Sequence, residues 1–350
     1  MSALPASALL ALGFAGTAAA SWLATAVIRR VLIRRSIFDR PNRRSSHTAP
    51  TPRGGGIALL IVVCAAWGAA VAWLGAAPPA YPAVMVGMIL LAVISWLDDL
   101  KGGMPVAARL AVQCVAVALA LAAFGDGGLI FQGLLPPLLD RLAAGFLWLW
   151  FINLFNFMDG IDGISGVEAI SLGGGLMLVA WLAGLAAPHV ALPALLAAAA
   201  VGFLAWNWQP AKVFLGDVGS VPLGFLLGWL LLAAAAQGQW LAAAILPLYY
   251  LADTTITLAR RLVRGETVWR AHRGHFYQRA VSGGDSHARV ALKVLACNGA
   301  LIALAAAATA GFVWPAAIAA IVAVALLLRH FANRAGAAGQ AFHGGSRPGG

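Results

Sequence analysis

The run Val218-Gly-Ser-Val-Pro-Leu-Gly-Phe-Leu-Leu-Gly-Trp-Leu-Leu-Leu-Ala-Ala-Ala-Ala-Gln-Gly-Gln-Trp-Leu-Ala-Ala-Ala-Ile-Leu-Pro-Leu-Tyr-Tyr-Leu-Ala252 contains no Asp, Glu, Lys or Arg. A helix crossing a bilayer needs about 20 apolar residues. This run is too long for one crossing, and Gln237-Gly238-Gln239 divides it into two. Two other uncharged runs behave alike. Gly54 to Leu97 is split by Gly75-Ala-Ala-Pro-Pro-Ala-Tyr-Pro82, and Ala169 to Ala211 by Ala187-Pro188-His189. Over all 350 residues, 62% are hydrophobic and 10% charged, against roughly 45–50% and 25% in ordinary soluble proteins. That excludes a soluble globular enzyme, a disordered chain and a disulfide-stapled module.

The sequence predicts an all-α polytopic membrane protein of about eleven spans, at 4–28, 56–74, 80–98, 105–124, 140–156, 165–185, 188–206, 219–236, 239–258, 289–309 and 311–330. The alternating ten-residue strands of a transmembrane barrel are absent from these runs. Arg29, Arg30, Arg34 and Arg35 follow the first span and no basic residue precedes it. It therefore reads as an uncleaved span with the N-terminus on the outer, periplasmic side. Alternation from there leaves only Arg141, of 23 Lys and Arg, at an outside end. The formal charge of +11 is thus a positive-inside signal and not the footprint of a nucleic-acid partner. Cys64, Cys114 and Cys297 fall within spans and read as packing residues. Residues 1–335 form one integral-membrane domain, and the Gly-rich tail 336–350 is expected to be disordered.

Five polar segments stand out. Asp98-Asp99 ends the third span. Adjacent carboxylates repel, which suits a cation beside them or a solvated helix end with Lys101 as counter-charge. Asn156-Phe-Met-Asp159-Gly-Ile-Asp162-Gly163 is a tight loop exposing carboxylates suited to Mg²⁺, or simply a turn. In Phe214-Leu-Gly216-Asp217-Val-Gly-Ser220, preceded by Asn207, Asp217 opens a span as a site residue or as a plain cap. His272-Arg273-Gly-His275, among Arg260, Arg261, Arg264, Arg270 and Arg279, makes a cationic site for phosphate or for anionic lipid; zinc lacks suitably spaced partners. Pro41-Asn-Arg43-Arg44-Ser-Ser-His47 to Arg53-Gly54-Gly55-Gly56 couples Arg with a Gly run that would let backbone approach a phosphate. All five fall on the inner face once the Arg pattern sets topology. Together they describe metal-assisted phosphoryl transfer between a charged cytosolic donor and a bilayer-resident acceptor.

These motifs, in this order from Pro41 to Arg279, resemble the polyprenyl-phosphate N-acetylhexosamine-1-phosphate transferase family, which includes the phospho-N-acetylmuramoyl-pentapeptide transferases. The Pro41–Gly56 and His272–Arg279 segments look most like the branch that initiates O-antigen and related lipopolysaccharide glycans. The Arg273-Gly274 separation of the histidines argues against the muramoyl-pentapeptide substrate.

The resemblance implies a multi-pass enzyme of the bacterial inner membrane, its site facing the cytoplasm. Its partners would be a UDP-N-acetylhexosamine and undecaprenyl phosphate, the products UMP and a lipid-linked sugar pyrophosphate. N-acetylglucosamine, N-acetylquinovosamine and N-acetylfucosamine are all candidate sugars. The resemblance also implies Mg²⁺, with Mn²⁺ as a substitute, held by Asp217 and Asp99, and a possible homodimer. Asp98 or Asp99 would hold or activate the lipid phosphate. Asn156, Asp159 and Asp162 would shape the nucleotide and metal site, with Arg53 and Asn207 as further substrate-binding residues. Phe214 would stack on uracil, and His272, Arg273 and His275 would bind the sugar phosphate. Direct attack and a covalent phospho-Asp intermediate both remain open. The rivals are a transporter of an anionic substrate, for which intramembrane Asp253 is the best argument, and a non-catalytic scaffold.

Overall fold

The computed structural model describes residues 6–41, 49–101, 103–124, 129–267 and 272–343. The chain is a helical bundle. Its helices are α1 (Ala6–Arg34), α2 (Gly56–Leu74), α3 (Tyr81–Lys101), α4 (Val106–Ala122), α5 (Pro137–Met158), α6 (Ile164–Leu182), α7 (Ala187–Asn207) and α8 (Asp217–Ala234). There follow α9 (Trp240–Ile245), α10 (Leu248–Val263), α11 (Phe276–Ser282), α12 (His287–Thr309) and α13 (Val313–His343). The described strands are the short antiparallel pair β1 (Phe38–Asp39) and β2 (Thr51–Pro52).

Among the described residues, nine helices are long and apolar enough to cross a membrane. Two of the eleven expected spans fall short of that measure. α4 is a shorter apolar helix. The expected span 239–258 is two pieces, because Pro247 lies between α9 and α10. The π-helical stretch Ala235–Gln239 runs on from α8, yet Gln237 and Gly238 leave helical geometry, Gly238 with φ of 85°. The expected division at Gln237-Gly238 is therefore real. Trp148 packs on Gly228, Phe155 on Gly224, and Phe155 also meets Tyr250 with ring centroids 5.5 Å apart. By Tyr250 the chain has thus come back alongside the first half of α8. α13 stays helical to His343, past Gly336, where the tail was expected to lose order; residues 344–350 lie outside the described residues.

α8 is the axis of the bundle, with 94% of its span buried. Three glycines admit its neighbours: Gly224 and Gly228 face α5, and Gly219 meets Gly56 backbone to backbone. Small residues allow such approach in lipid, where helix association depends on packing. Buried indoles find carbonyl partners, Trp148 Nε1 donating to Phe225 O at 2.9 Å and Trp67 Nε1 to Leu192 O at 2.8 Å.

Candidate active site

Adjacent residues on a helix point about 100° apart, so Asp98 and Asp99 at the end of α3 face different neighbours. Asp98 turns to α4. Its Oδ1 accepts from Met104 N at 2.7 Å and Gly103 N at 3.3 Å, and its Oδ2 lies 3.3 Å from Arg109. Asp99 turns to α8, accepting from Val218 N at 3.3 Å, and pairs with Arg53 at 2.8 Å.

The Gly run brings Arg53 there. Gly54 N and Gly55 N both donate to Phe214 O, Gly56 N donates to Leu215 O, and Phe214 N donates to Pro52 O. The donors expected to meet a phosphate are thus spent on joining the loop before α2 to the segment before α8. Gly54 has φ of 109°, and a Cβ there would meet Trp96 at 2.8 Å.

Gly216, not Asp217, caps α8. The Asp217 carboxylate is a quarter exposed and receives Arg53 at 2.9 Å and Arg109 at 3.8 Å. Arg53 is half-withdrawn from water. Burial would lower its pKa, but Asp217 and Asp99 outweigh that and raise it, so it stays cationic. The centre is therefore an alternating chain, Asp99–Arg53–Asp217–Arg109–Asp98.

It lies at one end of a cavity of about 430 Å³ between α3, α4, α5, α8 and α10. Asp98, Arg109 and Asp217 line that end; Leu91, Leu110, Phe146, Leu149, Trp150 and Val221 make an apolar wall. Deeper in, Gln113 and Asn153 pair at 2.7 Å. Nothing in the sequence marks Arg109 as a site residue, since it looks there like one more positive-inside arginine.

Asn156 lines the same cavity and accepts from Ser220 Oγ at 2.6 Å. Asp159 accepts from Ser165 Oγ at 2.7 Å. Burial pushes the Asp159 carboxyl up to about 6, against the Ser165 hydrogen bond and with Asp217 adding to the rise. Asp162 and Asn207 are buried and occupied. Asp162 accepts from Ala211 N at 3.1 Å and lies 3.4 Å from His287 Nδ1. Asn207 takes Gly163 N and gives to Val213 O, each at 3.0 Å. Both brace loops. Phe214 bridges to Arg53 by backbone pairing.

The histidine segment joins through α11. Tyr277 Oη donates to Phe157 O at 3.1 Å, and Gly160 leaves the room Tyr277 needs. His275 is buried at 3.2 Å from Asp253 Oδ1. His272 is partly exposed and stacks on His275 at 4.9 Å. Burial, with His275 and Arg261 nearby, lowers the His272 pKa to about 4. His272 is thus neutral at pH 7, and the positive charge of this segment belongs to its arginines, exposed Arg273 included. Asp253, the residue that favoured a transporter, is fully buried and taken up by packing partners. It also accepts from Phe276 N at 3.0 Å, Tyr277 N at 3.2 Å and Tyr249 Oη at 3.2 Å, and so anchors α11. Residues 42–48, with Arg43, Arg44 and His47, lie outside the described residues, as do Gly102, Arg270 and the side chain of Lys101.

Among the described residues, no three Asp, Glu, His or Cys side chains converge as a metal site by themselves. Mg²⁺ does not require that, since it takes one or two carboxylates plus water and substrate phosphates. Asp217 at the cavity end, with Asp99 joined to it through Arg53, is an oxygen-only donor set that suits a hard cation.

Fold and site together define a multi-pass membrane protein with an alternating acidic and basic centre set at the end of an apolar cavity. The sequence model of glycosyl transferase family 4 matches residues 81–235. A Streptomyces coelicolor protein named as a glycosyltransferase is 31% identical, covering 81% of this chain and 70% of its own length. The decaprenyl-phosphate N-acetylglucosaminephosphotransferase of Mycolicibacterium smegmatis is 29% identical over 83% of this chain and 80% of its own. The undecaprenyl-phosphate alpha-N-acetylglucosaminyl 1-phosphate transferase of Salmonella typhi is 28% identical over 73% and 72%. The chain belongs to this family, the polyprenyl-phosphate N-acetylhexosamine-1-phosphate transferases.

Proposed function

We propose that this protein transfers N-acetylhexosamine 1-phosphate from a UDP-sugar to undecaprenyl phosphate at the cytoplasmic face of a bacterial inner membrane, starting an O-antigen or related envelope glycan. The observation that carries this reading is the Asp99–Arg53–Asp217–Arg109–Asp98 chain at the end of an apolar cavity. A soluble phosphate donor and an isoprenoid phosphate both find a complementary surface there. The names of the relatives make N-acetylglucosamine the first sugar to test.

An oxygen of the lipid phosphate attacks the β-phosphorus of the UDP-sugar. The bond from that phosphorus to the bridging oxygen breaks, and UMP leaves with the electron pair. Arg53 and Arg109, held by carboxylates on either side, turn their remaining N–H donors to the phosphates and need little reorganisation to do so. Asp98 or Asp99 takes the proton of the lipid phosphate. Asn156 and Asp159 face the nucleotide, and Phe214 meets uracil. His272, neutral, gives a hydrogen bond rather than a charge to the sugar phosphate, and Arg273 supplies the charge. Asp217 and Asp99 would hold Mg²⁺, which when bound neutralises the pyrophosphate and the departing UMP. Asp162 and Asn207 act through the loops they brace.

The test is UMP release in membranes containing the protein, undecaprenyl phosphate and Mg²⁺, across a panel of UDP-N-acetylhexosamines. One sugar should give a lipid-linked product. No product with any of them sinks the proposal.

A further inference from the structure

Glu168 has no role in the centre described above, yet it is completely buried on α6, three residues beyond Ser165. Its Oε2 accepts from Asn298 Nδ2 on α12 at 2.7 Å. Two oxygens of the same pair are left over. Glu168 Oε1 and Asn298 Oδ1 are both buried, and neither has a hydrogen-bond partner.

A buried ionised carboxylate among apolar helices is costly unless paired. Among the described residues no basic side chain forms an ion pair with Glu168; Tyr250, whose own hydroxyl is buried without a partner, and Cys297 lie close enough to feel its charge, and neither is a cation. An ionised carboxylate is also an acceptor only, so it has nothing to give to the orphan Asn298 Oδ1, and the unpartnered Tyr250 hydroxyl makes no hydrogen bond to Glu168 Oε1. A carboxylic acid has a proton to place. Given from Oε1 to Asn298 Oδ1, it closes a two-hydrogen-bond acid–amide ring and satisfies both orphans at once.

We propose that Glu168 is held as a neutral carboxylic acid, doubly hydrogen-bonded to Asn298, and that the pair is a positioning clamp fixing α6 against α12 behind the Asp159–Asp162 loop. α6 carries Ser165, which holds Asp159. α12 begins at His287, which lies against Asp162. The two helices therefore grip the loop, and the clamp sets their register deeper in the membrane. A slip of one residue is about 1.5 Å along the axis, and misplacement of about 1 Å can cost about a hundredfold in rate. The positioning role rests on the transferase reading; the protonation state of the pair does not.

Infrared difference spectra and kinetics of the full-length protein in proteoliposomes test the two parts separately. Wild type minus Glu168→Gln should show, at neutral pH, the C=O band of a hydrogen-bonded carboxylic acid, and Asn298→Leu should shift that band upward. Glutamine can make the same two-way pair, accepting from Asn298 Nδ2 and donating to Oδ1. With UDP-N-acetylglucosamine as probe, turnover per folded molecule should stay near wild type in Glu168→Gln. It should fall at least about tenfold in Glu168→Leu and Asn298→Leu, with the KM for the UDP-sugar little changed. No acid band in the wild type, or a Glu168→Gln protein as slow as Glu168→Leu, overturns the neutral pair. Equal turnover in all variants with the band present overturns the positioning role. A wild type inactive with every UDP-N-acetylhexosamine removes the transferase reading and the positioning role with it, while the infrared arms still decide the pair.

Discussion

Asp217 takes two guanidinium groups on one carboxylate, and each arginine reaches a second carboxylate on α3. Removing one charge leaves its neighbours unbalanced as well as removing a ligand. Asp217→Asn and Asp99→Asn should each lower turnover at least about a hundredfold while folded protein is recovered normally in detergent. Near-normal UMP release by either variant would end that residue's assigned role. Arg109→Gln should behave alike, since it takes a guanidinium from Asp98 and Asp217 together. Asp159 makes a prediction about pH. Its carboxyl is raised from 3.8 to about 6, so the folded protein binds a proton there that the unfolded chain gives up. Stability is therefore lost as pH rises from about 4 through 6. Asp159→Asn removes this slope and should melt higher than wild type at pH 7, with the gap closing toward pH 4; a gap independent of pH would refute it. The acidic members of this centre were legible because carboxylates are scarce in an apolar chain. Arg109, Ser165, Ser220 and Tyr277 were not. An arginine near a span's inner end looks like topology alone, and a hydroxyl shows its value only when folding sets a carboxylate or carbonyl beside it.

The Gly54–Gly56 segment does its work as part of an element. Its N–H groups hold the strand-like link to Phe214 and Leu215, and Gly56 packs on Gly219 with no room for a methyl group. Gly56→Ala must push α2 from α8 and carry Arg53 away from Asp217. We expect a loss of about 1–3 kcal/mol from overpacking and a larger proportional loss of turnover than of folded protein. Wild-type specific activity in Gly56→Ala would show that Arg53 keeps its place by other means. In the sequence these glycines look suited to phosphate contact, because a Gly run beside an arginine looks the same in either use. Which carbonyls the N–H groups meet depends on a segment about 160 residues away. The break at Pro247 was likewise passed over, since the apolar run continues across it while the helix does not.

At the scale of the molecule, the helical bundle was legible because bilayer crossing imposes a length and an arginine asymmetry that survive any detail of packing. Some helix ends were reproduced closely, as for α2 at Gly56–Leu74, whereas α1 and α13 run on to Arg34 and His343, past their expected ends. What could not be read was the centre of the bundle, since uncharged Ala-Leu spans do not say which of them lipid never touches. The topology makes a direct prediction. In a protein freed of Cys64, Cys114 and Cys297, cysteine at exposed Lys212 should be labelled only from the cytoplasmic side. Cysteine at exposed Leu134 should be labelled only from the periplasm. Labelling of both from one side would overturn the co-location of the five motifs. α8, with Asp217 at its first turn, is sheathed by its neighbours along almost its whole length. A bilayer thicker or thinner than the bundle must tilt or bend whichever helices it touches. Those are the outer ones, so the strain of hydrophobic mismatch is absorbed before it reaches Asp217. The centre should thus hold its geometry across membranes of different acyl-chain length.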